Sequence, residues 1–210
     1  MQDSFQTTTT KVSTSRNWIA PVLVVLAIGL SWFLGRASNS APLEGSPDVT
    51  FARDMIAHHT QAVDMAIRVR DRTTDPTLKI FAIDIALGQT NQMGQMMAWL
   101  DLWNVSQNSL SAPMNGKGLM MGMSTQTDVN SISSLPVKDA EIKFLQLMIR
   151  HHQGGIFMAE DVIAKASSLQ VKRVAQAVIN GQKFDIDAMT SMLEKRGTKP
   201  LSKLPKMQMR

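Results

Sequence analysis

The chain has 210 residues, 44% hydrophobic and 19% charged, with sixteen Met, four His and no Cys. This is the composition of one globular domain with extra segments rather than of a disordered or multi-span chain, and the lack of Cys excludes disulfide frameworks, thiolate zinc sites, iron–sulfur clusters and Cys nucleophiles. The net charge of +5 sits at the ends, +2 in residues 1–40 and +5 in residues 194–210, which leaves −2 for residues 41–193 and no dedicated basic face for nucleic acid.

Residues 1–17, polar and carrying Lys11 and Arg16, read as a cytoplasmic N-terminal segment. Trp18 to Leu34 is a seventeen-residue run without a charge, so residues 18–35 are expected to be a transmembrane anchor or a signal segment. Trp18 and Trp32 near its ends suit an anchor, whereas Ala37, Ser38, Ser40 and Ala41 could serve signal cleavage. Either way the rest of the chain is expected outside the cytoplasm, facing the periplasm from the cell membrane or soluble there. A linker at 36–46 follows.

Four helical patterns come next, in two pairs. Ser46-Pro47-Asp48 opens the first, and Asp75-Pro76, after a short connection from Asp71, opens the second. The third runs from about Lys138 to about Ala166, and the fourth starts at Ser168 and ends near Gly197. No strand pattern occurs, so the expected class is all-α, with helical hairpins at 47–103 and 137–197. Residues 104–136 between them form a Gly/Ser-rich, Met-rich connection too long for a turn. Residues 198–210 are a basic tail, expected to be solvated.

The hairpins repeat one another at an offset of 93 residues: Phe51, Met55, Ile56, His58, His59, Met65 and Ala66 fall on Phe144, Met148, Ile149, His151, His152, Met158 and Ala159. Gly88-Gln89 falls on Gly181-Gln182, and Met96 on Met189. Two such hairpins about a pseudo-twofold axis predict an antiparallel four-helix bundle spanning 47–197.

All four histidines lie in the repeat. Adjacent helical residues diverge by about 100°, so His58 and His59 need separate partners. Met55 precedes His59 by four residues and Met65 follows His58 by seven, each on one face; Met148 with His152 and Met158 with His151 repeat this. Imidazole plus thioether is a neutral, soft donor set that suits Cu(I) or cycling between Cu(II) and Cu(I). Met114, Met120, Met121 and Met123 crowd a polar connection where core packing would not place them, and are read as further soft-metal ligands. Met93, Met96, Met97, Met189 and Met192 read as core. Asp54, four before His58, could orient that ring, a one-sided feature because its repeat equivalent is Leu147. With an ordinary imidazole pKa of about 6.5, metal binding would weaken towards about pH 5.

No Glu precedes a His by three residues, which excludes a di-iron carboxylate centre, and no nucleophile elbow or phosphate loop is present, so no enzyme activity is expected. The alternative to a metal binder is a helical scaffold or adaptor of the cell envelope, with structural His pairs and a Met-rich protein-binding loop.

The segments FARDMIAHHTQAVDMA and FLQLMIRHHQGGIFMAEDV, each followed by a helix with central Gln, resemble the DUF305 family, and within it the copper-resistance proteins of the CopM type. The resemblance covers about 48–196 and implies a ferritin-like fold, export, and copper binding by His and Met. The family's second helices often read Gln-x-x-Glu; here the acidic position is Gln92 in one repeat and Asp185 in the other, which favours His/Met over carboxylate ligation. The resulting expectation is a protein of copper homeostasis that sequesters or transfers copper, with envelope copper-transport proteins as partners and no nucleic acid.

Overall fold

The computed structural model describes residues 41–109 and 111–202, together with residues 25 and 204. The expected membrane or signal segment at 18–35 lies outside these residues but for Val25, and among the described residues no helix is long and apolar enough to cross a membrane. Those residues are all-helical, without strands: α1 (Pro47–Arg70), α2 (Pro76–Leu102), α3 (Gln126–Ser134), α4 (Val137–Lys165) and α5 (Leu169–Lys195).

The helix starts follow local chemistry. The Ser46 side chain accepts from the Val49 amide, with Pro47 at the first position. The Asp75 carboxylate takes the amides of Thr77 and Leu78 ahead of α2, and Ser168 caps α5 through Val171. Such caps satisfy amides that have no intrahelical partner. α1 pairs with α2 and α4 with α5, and the hairpins meet through α1 and α4.

The histidines divide the interior. On α1 they stand between Met55 and Ala62, on α4 between Met148 and Met158, and the apolar side chains gather into two clusters accordingly. One contains Met65, Met148, Met189 and Phe144; the other contains Met55, Met96, Met158 and Phe51. Each cluster thus takes three methionines that the repeat maps onto the other three.

The connection after α2 is more structured than expected. Two 3-10 turns (Pro113–Gly116 and Gly118–Met121) lay Met114, Met121 and Met123 on the second cluster, and α3 lays Val129 and Ile132 on the first. α3 escapes sequence reading because it has only these two apolar residues, one turn apart, although Thr125 caps it through the Asp128 amide.

An acid at the start of each hairpin clasps the turn of the other. The buried Asp48 carboxylate accepts from the Ser167 amide at 3.0 Å and the Ser168 amide at 2.8 Å. Its repeat equivalent Glu141 accepts from the Thr73 hydroxyl at 2.6 Å and from Arg196, which also pairs with Asp75. Asp48→Ala leaves these donors stranded in a part-buried turn and is expected to cost about 1–3 kcal/mol, read as a lower urea midpoint at unchanged slope.

Candidate metal centre

The α1–α4 seam carries the four histidines, all fully buried. The His58 and His151 rings, from different hairpins, stack with centroids 3.7 Å apart and planes 29° apart. Within each hairpin the adjacent rings diverge as helix geometry requires. His58 to His59 is 6.4 Å at 49°, and His151 to His152 is 6.3 Å at 52°, so the repeat holds at the level of side chains.

Oxygen atoms orient three of the rings. His58 Nε2 donates to the Met121 carbonyl (3.0 Å), His59 Nε2 to Gln92 Oε1 (2.7 Å) and His152 Nε2 to the Asp185 carboxylate (3.1 Å). These acceptors require the hydrogen on Nε2 and leave the lone pair on Nδ1. In all three rings Nδ1 is buried without a hydrogen-bond partner among the described residues, and both ring nitrogens of His151 are likewise unpartnered. A ring fixed through one nitrogen with the other lone pair unused is the state in which His serves as a metal ligand.

Burial also sets the charge. Desolvation brings the His58 pKa from 6.5 to about 3, with His59 lowering it further, and the Met121 carbonyl only partly opposes this. Desolvation brings His59 to about 4 against the Gln92 hydrogen bond. His151 lies well below 6.5 because of burial and then His58. The ordinary imidazole pKa expected from sequence is therefore corrected for these three rings, which stay neutral at pH 5.

The remaining predicted residues are brought close in part. Met55, Met65 and Met148 are fully buried and Met158 nearly so, but Met55 shares a cluster with Met158, and Met65 shares one with Met148. In the connection, Met114 is a core residue, contrary to the expectation that packing would not hold it. Met121 and Met123 are partly buried, and Met120 is 52% exposed. Asp54 does not orient His58; its carboxylate accepts from the Met114 amide at 2.7 Å and anchors the first 3-10 turn. The second turn seats on α4 because Gly154 has no side chain, since a Cβ there would lie 1.6 Å from the Met121 carbonyl oxygen. Of the residues expected as core, Met96 and Met189 are fully buried and Met93, Met97 and Met192 partly so.

Sequence reasoning passed over Gln92 and Asp185 as ring-orienting groups. Their signal is the common spacing of 33 residues from His59 and His152. Among the described residues no three His, Asp or Glu side chains gather as a ligand set for a metal ion.

The sequence profile of DUF305, described as a domain of unknown function, matches residues 48–193, and the chain belongs to this family. A DUF305 protein of Streptomyces coelicolor, described as secreted, is 41% identical, with 75% of this chain and 98% of that one covered and a TM-score of 0.70. A DUF305 fragment from Deinococcus radiodurans is 35% identical, covering 73% of this chain and 99% of that one, at a TM-score of 0.67. CopM in its Cu(I)-bound form shares the fold at 21% identity, covering 70% and 96% of the two chains, with a TM-score of 0.59. The uncharacterized protein L153 of Acanthamoeba polyphaga mimivirus is 37% identical over 54 residues, 26% of this chain, so the chain spans about a third (36%) of that curated relative's length.

The depressed imidazole pKa values carry a stability consequence. Between about pH 6.5 and pH 3–4 the unfolded chain binds protons that the folded rings refuse, so stability present above pH 6.5 is lost as the pH falls. The urea midpoint of the metal-free protein is expected to decrease steadily from pH 7 to pH 4, and a His151→Leu variant should show a shallower decline.

Proposed function

We propose that this DUF305 protein binds copper outside the cytoplasm and sequesters or transfers it through imidazole and thioether donors, without catalysing a reaction. On this reading α1, α2, α4 and α5 form a ferritin-like four-helix bundle whose central seam is the binding site. The observation that carries the proposal is the set of five buried ring nitrogens without partners, three of them on rings whose opposite nitrogen is already fixed by an oxygen. Leaving buried polar atoms unpaired costs about 1–3 kcal/mol each, a cost that ligation through one nitrogen of each ring removes for four of the five.

The donor chemistry narrows the ion. His58, His59 and His151 are held neutral by burial, and thioethers flank the histidines along the helices, Met55 and Met65 on α1 and Met148 and Met158 on α4. Met114, Met120, Met121 and Met123 add sulfur on the side of the connection. Neutral nitrogen and thioether ligands favour Cu(I) over harder cations. CopM, which shares the fold, has been crystallised with Cu(I) and with Cu(II), and the Streptomyces relative described as secreted supports an extracytoplasmic setting. The same setting admits the N-terminal apolar segment as anchor or signal, and envelope copper-transport proteins as the donors or acceptors of the ion.

An anaerobic Cu(I) competition titration on the full chain tests the proposal. The unsubstituted protein should take up Cu(I) tightly, and the combined His58→Ala, His59→Ala, His151→Ala and His152→Ala variant should lose that uptake. Equal uptake by both would refute it. Asp185→Ala, which frees the His152 ring from its carboxylate, should lower affinity by about 10–100-fold, the usual effect of losing a ligand's hydrogen-bond partner.

A further inference from the structure

A cleft of about 180 Å³ lies between α2 and α5. One wall is Asp84, Ile85, Gly88, Gln89 and Gln92 of α2; the other is their repeat equivalents on α5, 93 positions on, from Ala177 to Asp185. The spacing puts each set on one helix face, so the cleft is lined by equivalent residues of the two hairpins.

Its lining is not that of a packing gap. Gln89 and Gln182 are only 6% and 4% exposed, yet Gln89 Oε1 and both polar atoms of the Gln182 carboxamide have no partner among the described residues. Gly155 makes room for Gln182, since a Cβ there would lie 2.4 Å from Gln182 Oε1. Asp84 and Asp185 add carboxylates, and no Lys or Arg lines the walls. Gly88 and Gly181 face open space, where a Cβ would meet nothing within 4 Å. A mid-helix glycine costs about 1 kcal/mol relative to alanine, so two at equivalent positions keep the cleft wide at some expense of stability.

The cleft also adjoins the histidines. Gln92 and Asp185, in its two walls, are the residues bonded to His59 Nε2 and His152 Nε2. We propose that this cleft is the path by which the metal ion reaches and leaves the buried histidines, with the carboxamide oxygens of Gln89 and Gln182 and the carboxylate of Asp185 replacing the ion's departing ligands on the way. The proposal rests on the copper-binding reading above. Fully buried rings need such a route, and an oxygen-lined, uncharged-to-acidic cleft attracts a cation while offering weaker donors than the site itself.

Stopped-flow loading of the full chain with Cu(I) under anaerobic conditions tests it. The Gly88→Leu/Gly181→Leu pair fills the cleft from positions with free space, and circular dichroism should show an intact fold. Loading should slow at least tenfold at unchanged final stoichiometry. Gly94→Leu, equally unobstructed on α2 but outside the cleft walls, should load at the unsubstituted rate. Gln89→Leu/Gln182→Leu removes the oxygens without the glycines and should also slow loading; it decides the matter if the leucine pair fails to fold. Unchanged rates at full stoichiometry in the cleft variants, or equal slowing by Gly94→Leu, overturn the path and leave copper binding standing. No Cu(I) uptake by the unsubstituted chain overturns both.

Discussion

Four buried imidazoles packed into the seam between two helices are the constraint to which the rest of the domain answers. A seam of Leu or Ile would bury apolar area with no unpaired nitrogen, so the cost of keeping these rings dry must be met by what surrounds them. Packing against the methionine-containing clusters on either side does so, together with an oxygen fixed opposite three of the rings. The stacked His58 and His151 rings make the seam a joint product of both hairpins.

The repeat keeps the His and Met positions and departs at many others, some of them in contact with the rings. Gln92 faces Asp185 across the repeat, so one terminal imidazole leans on an amide and the other on a carboxylate. Ala62 corresponds to Gly155, which admits the Gln182 carboxamide. The connection covers the two clusters unequally, with thioethers on one and aliphatic side chains of α3 on the other. A repeated frame therefore carries two halves of different polarity, and the surroundings of the rings change along the seam.

Much of this was legible in the residues and some was not. Ser46, Asp75 and Ser168 announce their helices because a cap is a local event, decided within four residues. The pairing of His58 and His59 with their repeat equivalents was visible because duplication preserves register. The stacking of His58 on His151 was hidden, since it depends on how far apart two helix axes lie. Asp54 was misassigned for a related reason: four residues is the right spacing to reach His58 along the helix, but the Met114 amide approaches from 60 positions away. The imidazole pKa values were out of reach too, because desolvation depends on everything around the ring.

The crossed clasps make each hairpin depend on the other. Among the described residues, Asp48 is satisfied by Ser167 and Ser168, 119 and 120 positions later, and Glu141 by Thr73 of the first turn and by Arg196. Taken alone, the first hairpin carries an unanswered carboxylate and an open seam, which the first helix of the second hairpin and the turn after it complete. The two halves repeat one another, yet each is completed by the other, so the domain holds together as a whole.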